Sequence, residues 1–196
     1  MSGAVSEMVQ KAKEIAHEAH KGVKRKWSDA PYIVHPERCA LRAALHKLPD
    51  EVIAAMWLHD VVEDAGAELD DIEERKRIQK QWSDRIEREC GPEVLGLVLE
   101  LTFPVEGKEW LRRPRAEKNL IREAQMRKMS PLAMMGKMID SIDNYGDSMN
   151  VNKGYLMKLA SEGWRRLKIL GHVHEGLAKE LKEALEDMED KIKSMK

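Results

Sequence analysis

The chain has 196 residues, 42 % of them hydrophobic and 35 % charged, enough for a sizeable core within one domain. With 34 Lys and Arg against 35 Asp and Glu, its formal charge of −1 excludes a global basic field for wrapping nucleic acid, so any polyanion site must be a local patch. Cys39 and Cys90 make no CxxC pair and no disulfide framework, the N-terminal stretch is too polar for a secretory signal, and no apolar run approaches the ~20 residues of a membrane span; together these predict a cytoplasmic protein.

Helical spacing of Val5, Met8, Val9, Ala12, Ile15, Ala16 and Ala19 predicts a first helix from Ala4 to about Lys21, stopped by Gly22. A basic loop, Lys24 to Tyr32, leads to His35, and Pro36 suits the first position of a second helix carrying Cys39, Ala40, Leu41, Ala44 and Leu45. Pro49-Asp50-Glu51 opens a third helix whose stretch Val52 to Leu58 is apolar all round and therefore central. That helix is read as running on through His59-Asp60-Val61-Val62-Glu63-Asp64. A charged helix from Leu69 to about Cys90 is broken by Gly91-Pro92, and another spans Glu93 to Thr102. After a basic segment (Lys108, Arg112, Arg113, Arg115, Lys118), Ser130-Pro131 caps a helix bearing Asp140, Asp143 and Asn144. Gly146 to Gly154 reads as a loop, and two last helices cover about Tyr155 to Leu170 and His172 to Met195. No strand-like alternation and no repeat interrupts this. The fold class is all-α, a single helical bundle over residues 1–196, with the motif-bearing core at about 4–146.

The chemistry concentrates at the end of the third helix. On one continuous helix His59, Asp60, Glu63 and Asp64 fall within about 140° of the circumference at roughly 100° per residue. Three carboxylates there repel one another, oppose the helix dipole and are costly to desolvate, which a bound cation would relieve. The plainer alternative is the wet end of a buried helix. His35, brought back by a two-helix hairpin, is a candidate neutral ligand; a capping or core His is its alternative. Asp140 or Asp143, on an otherwise apolar helix, points at something specific or else lies on a solvated stripe with Lys137. Two His and two Asp make a mixed N/O site suited to Mn²⁺, Fe²⁺ or Zn²⁺ more than to Ca²⁺ or Mg²⁺. Glu63 and Asp64, one turn on, could orient or deprotonate an acidified water. On the substrate side, Arg25 and Lys26 are the better anion contacts because their loop leads directly into His35, whereas most of the second basic cluster reads as surface.

Taken together, Ala19-His20-Lys21-Gly22, Arg25-Lys26, Pro31-Tyr32-Ile33-Val34-His35-Pro36, His59-Asp60-Val61-Val62-Glu63-Asp64, Gly91-Pro92-Glu93-Val94, Leu101-Thr102 and Lys137-Met138-Ile139-Asp140 with Asn144 resemble the hydrolase domain of the RelA/SpoT family, within the HD phosphohydrolases. The match runs in order over roughly residues 12–145 and looks like the short, hydrolase-only type. The resemblance implies an HD fold and one Mn²⁺. It also implies removal of the 3′-pyrophosphate from guanosine tetra- and pentaphosphate, the alarmones of the stringent response. By position it makes His35, His59, Asp60 and Asp140 the metal ligands, Glu63 and Asp64 the water-activating pair, and Arg25, Lys26 and Asn144 nucleotide contacts. Tyr155 could add a base-stacking ring. The chain departs from the family at Val23, Asp29-Ala30, Ser141 and Asp143, and about fourteen residues near Lys76 to Glu89 look inserted.

The leading expectation is thus an alarmone pyrophosphohydrolase with a small-molecule nucleotide substrate and no nucleic-acid or membrane partner. The alternatives are an HD hydrolase for another phosphorylated nucleotide or dinucleotide cofactor, and a catalytically silent nucleotide-binding module. The apolar stripe Leu177, Leu181, Ala184, Met188, Ile192 and Met195 packs on the core or forms a homo-oligomer seam.

Overall fold

The structure is a computed structural model that describes residues 6–103, 110 and 112–195. The elements are α1 (Glu7–Ala19), α2 (Val34–Leu45), α3 (Asp50–Leu58), α4 (Val61–Asp64), α5 (Ile72–Cys90), α6 (Pro92–Leu101), α7 (Arg115–Met126), α8 (Pro131–Asp147), α9 (Lys153–Leu170) and α10 (Glu175–Ser194). Among the described residues there is no strand; one isolated bridge pairs Lys24 with Pro31 in the basic loop.

Helix α3 is central because nearly every side chain on it is apolar. Val52 and Ala54 through Leu58 are all buried, and α3 packs against α1, α2, α6 and α8. Helix α8 is the second pillar. It touches α2, α3 and α6 on one side and α9 and α10 on the other, so its buried face extends from Ala133 to Tyr145. The last helix buries Leu177, Leu181, Leu185 and Met188 against α8 and α9, which accounts for its stripe within one chain. Among the described residues no helix is long and apolar enough to cross a membrane.

Local signals explain most boundaries. Ser6, Asp71, Ser130, Asn152 and His174 each cap the helix that follows with a side-chain acceptor, typically worth ~1 kcal/mol apiece. Gly91, at φ 94°, closes α5 and opens α6, a conformation a side chain would strain, and Pro92 supplies the first residue of α6.

Several boundaries differ from the sequence expectation. The proposed start at Ala4 and the basic residue Lys108 lie outside the described residues. Helix α2 begins at Val34, so His35 is inside its first turn rather than before it; proline is tolerated anywhere in that turn, where N–H groups lack intrahelical acceptors. The third helix is not continuous through Asp64. It ends at Leu58, and Asp60, with φ −96° and ψ −10°, re-aims the chain into the short α4. Helix α8 persists to Asp147 and passes into a 3₁₀ turn at Ser148–Asn150, shortening the expected loop. Helix α7 was unassigned by periodicity because its sequence is strongly charged, yet it docks on α9.

The tightest approach lies where α9 crosses α8 and α10. A Cβ on Gly163 would meet the Leu185 side chain and stand 2.9 Å from Tyr145 Oη. Gly163→Ala is therefore expected to destabilise the protein by about 1–2 kcal/mol net of its better helix propensity, or about 3–6 °C in a reversible thermal melt. An unchanged or raised midpoint would show that the crossing has slack.

Candidate metal centre

The break after α3 places His59 and Asp60 at a helix junction facing α2 and α8. From α2 comes His35 and from α8 comes Asp140, both buried. Four lone-pair atoms converge there. His35 Nε2 lies 3.1 Å from His59 Nε2, 3.5 Å from Asp60 Oδ2 and 3.4 Å from Asp140 Oδ1. His59 Nε2 is 3.1 Å from Asp60 Oδ2 and 3.8 Å from Asp140 Oδ1. Donor atoms bonded to one first-row divalent ion at about 2.0–2.2 Å stand at such separations.

Both imidazoles are set to offer Nε2. His59 Nδ1 is 2.9 Å from the Met56 carbonyl and His35 Nδ1 is 2.6 Å from Asp143 Oδ2, so each Nδ1–H donates outward. Burial alone drives His35 and His59 towards neutrality, but Asp140, Asp143 and Asp60 override it and hold a proton on the rings. Burial would likewise raise Asp60 and Asp140. His59 and His35 hold Asp60 well below the usual carboxylate range, while Lys137 with the same histidines does so for Asp140. The cluster thus demands positive charge at its middle, from protons or from a cation. Donor atoms of Cys39, His35 and His59 also lie within 4.8 Å of one another, but Cys39 Sγ approaches His35 at Nδ1, 3.7 Å away, the nitrogen already turned to Asp143, so the set built on Nε2 is the one with the two aspartates.

Neighbours hold the carboxylates in place. Tyr32 donates its hydroxyl to Asp60 Oδ2 at 2.6 Å, with its ring against His20. Lys137 Nζ donates to Asp140 Oδ2 at 2.8 Å, and Asn144 Nδ2 donates to Asp140 Oδ1. Arg25 donates from one amino group to Asn144 Oδ1 at 2.9 Å and from Nε to Asp147 Oδ2 at 2.7 Å.

Because the helix breaks, Glu63 and Asp64 do not share one stripe with His59 and Asp60. They face opposite walls. Glu63 accepts from the Phe103 N–H at 2.8 Å and lines a cavity of about 170 Å³ with Asp140, Lys137, Asn144, Arg122 and Arg166. Burial and the charge of Asp60 raise its carboxyl above the ordinary value against the pull of Lys137. Asp64 instead borders an apolar cleft of about 580 Å³ with Val61, Ile78 and Trp82. Its surroundings and the charges of Asp60 and Glu63 push it up to about 7, although its outer edge is open to solvent.

The basic cavity continues into an outer cleft of about 460 Å³ that shares Arg122, Asn144 and Arg166 and adds Trp27, Arg115 and Tyr155. The Trp27 and Tyr155 rings are 5.5 Å apart, with the Arg115 guanidinium 5.4 Å from the Tyr155 ring centre. Among the described residues neither Arg122 nor Arg166 has an ion-pair partner. Burial and the charge of Arg166 pull Arg122 below the ordinary arginine value. Lys26 does not line this path; it is exposed, its Nζ 4.8 Å from the Trp27 ring centre. The sequence reading missed Lys137, Arg122, Arg166 and Trp27. Lys137 could have been found from its position three residues before Asp140, whereas the two arginines have no local signal.

The family profile of the HD domain matches residues 12–138, which include His35, His59 and Asp60 and stop just before Asp140. This chain belongs to the HD-domain family. Over 70 residues, 36 % of the chain, the HD domain is 41 % identical to a guanosine-3′,5′-bis(diphosphate) 3′-pyrophosphohydrolase of Aquifex aeolicus. Over 60 residues, 31 % of the chain, it is 43 % identical to the bifunctional (p)ppGpp synthase/hydrolase SpoT of Escherichia coli. The matched regions are 10 % and 8 % of those proteins, so the chain spans about a tenth of the relatives it matches. A solved structure described as a metazoan ortholog of SpoT that hydrolyzes ppGpp superposes with a TM-score of 0.75 at 21 % identity, covering 95 % of this chain and 98 % of that one. That likeness establishes the all-α HD fold.

The converging donors predict that added Mn²⁺ raises the melting temperature, by about 2.7 kcal/mol of stability at a hundredfold excess over the dissociation constant. Asp60→Ala should abolish this shift and empty the purified protein of metal by elemental analysis. Retention of one equivalent of metal by Asp60→Ala would remove Asp60 from the ligand set.

Proposed function

We propose that this HD domain is a divalent-metal-dependent phosphohydrolase that removes the 3′-pyrophosphate of guanosine tetra- and pentaphosphate, with Mn²⁺ as its ion. The observation that carries the reading is the continuity of the four-donor cluster, through Asp140, with a basic cavity whose two arginines make no ion pair among the described residues. The names of its relatives in Aquifex aeolicus and Escherichia coli supply the substrate class.

In this reading His35, His59, Asp60 and Asp140 hold the ion. When bound, it supplies Lewis acidity and lowers the pKa of nearby water. Glu63, its carboxylate oriented by the Phe103 N–H, accepts the proton of the attacking water. Asp64, raised towards neutrality beside Asp60, is the second member of the acidic pair and exchanges its own proton with solvent on its side. Lys137, Arg122 and Arg166 meet the charge that develops on the scissile diphosphate. Arg25 and Asn144 bind the ribose–phosphate portion beside Asp140, and Tyr155 with Trp27 stacks the base. Lys26 contributes long-range charge at the mouth.

The direct test is incubation with guanosine tetraphosphate and Mn²⁺, with products resolved by ion exchange. GDP and pyrophosphate, lost on adding chelator, are expected. Inorganic phosphate from a phosphorylated dinucleotide, with the alarmone untouched, would overturn the substrate assignment and keep the phosphohydrolase. Glu63→Gln should retain its metal and lose about 10²–10⁴-fold in turnover; a normal rate would end its assigned role. Arg122→Gln should lower kcat/KM about tenfold or more, chiefly through kcat, and an unaltered kcat/KM would place the diphosphate elsewhere.

A further inference from the structure

The far edge of the His35 ring is held by a residue with no role in the reading above. Asp143 sits one turn beyond Asp140 on α8 and is buried. Its Oδ2 stands 2.6 Å from His35 Nδ1. Arg38, one turn beyond His35 on α2, grips the same carboxylate with both arms of its guanidinium, Nε to Oδ1 at 2.6 Å and an amino group to Oδ2 at 2.9 Å. A third bond from Arg38 reaches Asp147 Oδ1 at 2.8 Å. Helices α2 and α8 are therefore laced by alternating rungs: His35 to Asp140 through one ring nitrogen, His35 to Asp143 through the other, then Arg38 to Asp143 and Asp147.

We propose that Asp143, clamped by Arg38, is the positioning residue of the metal centre. Its carboxylate keeps the His35 proton on Nδ1 and fixes the ring plane so that the Nε2 lone pair points at the other three donors. An imidazole without such an acceptor is free to place its proton on either nitrogen and to rotate, and only one of those states ligates. An interhelical ion pair alone does not explain the geometry. Arg38 already neutralises Asp143 at two points, yet the carboxylate is also turned onto the ring edge opposite the ligand cluster, within 2.6 Å. The only other group at that edge among the described residues is the Cys39 thiol at 3.7 Å, a far weaker acceptor. This inference rests on the four-donor centre proposed above.

The test measures metal affinity, not turnover. Mn²⁺ binding is followed by the electron paramagnetic resonance of free Mn²⁺ for wild type, Asp143→Ala, Asp143→Asn and Arg38→Ala. Asp143→Ala should bind about 10–100-fold more weakly. Asp143→Asn keeps an oxygen acceptor for Nδ1–H and should recover most of that loss. Arg38→Ala removes the clamp but leaves the carboxylate on the ring, so it should lose less than Asp143→Ala. In ¹⁵N-histidine-labelled, Zn²⁺-loaded protein, His35 should show a slowly exchanging Nδ1 proton that Asp143→Ala abolishes. Wild-type affinity in Asp143→Ala, equal weakness of the Asn and Ala variants, or a full reproduction of the loss by Arg38→Ala would overturn the positioning role. If the wild type binds neither ion, the metal reading itself falls, and this inference with it.

Discussion

Two imidazole nitrogens 3.1 Å apart, each within 3.8 Å of the same two carboxylate oxygens, are the constraint around which the rest of the molecule is arranged. Without a proton or a cation between them, lone pairs at that spacing repel, and two of them carry formal negative charge in a largely buried site. No single helix could hold such a set. The donors come from the first turn of α2, the junction after α3 and the middle of α8, and each of these elements is anchored in the core. The apolar helix α3 packs against both of the others, so burial of its side chains brings His59 and Asp60 to the place where α2 and α8 meet. Hydrophobic packing supplies the force that keeps mutually repulsive groups together, and the centre then gains from any cation that enters.

Much of this was legible because helix periodicity survives in the central segments. The all-α class, the buried third helix, the caps at Ser130 and Gly91-Pro92, and the residues His35, His59, Asp60 and Asp140 could all be read from spacing and chemistry or from the family resemblance. The described helices agree with the all-α class, and the four side chains converge. From spacing alone the choice between Asp140 and Asp143 was not legible; only the family resemblance made it. Both point inward, and which one meets Nε2 depends on the rotation of α8 against α2. Nor was the break at His59-Asp60 legible, because both residues remain in the right-handed helical region and only a joint shift of φ and ψ at Asp60 re-aims the chain. The basic cavity draws Lys137 and Arg166 from α8 and α9 and Arg122 from a helix whose charge pattern hid it. Such a cluster exists only after packing.

The departures from the family pattern have a local logic. An acid at position 143 finds both an imidazole N–H and a guanidinium within reach. The long α5, which contains the inserted stretch, packs on α1 and α6 and turns Ile78 and Trp82 into the wall beside Asp64, while its Arg75 donates to the Glu63 carbonyl at 2.9 Å. Helix α5 therefore walls the cleft beside Asp64 and braces α4.

The kink between α3 and α4 carries one more consequence. It sends two adjacent carboxylates to opposite walls, one into a cationic cavity and the other into an apolar, solvent-open cleft. The cavity reaches the four donors through Asp140, whereas the cleft, with Asp64, Glu68 and His20 in its lining, borders none of them. The two neighbours in sequence therefore answer to different surroundings. An anion entering the cavity acts on Glu63 first, while the pH and salt of the bulk solvent act on Asp64 first.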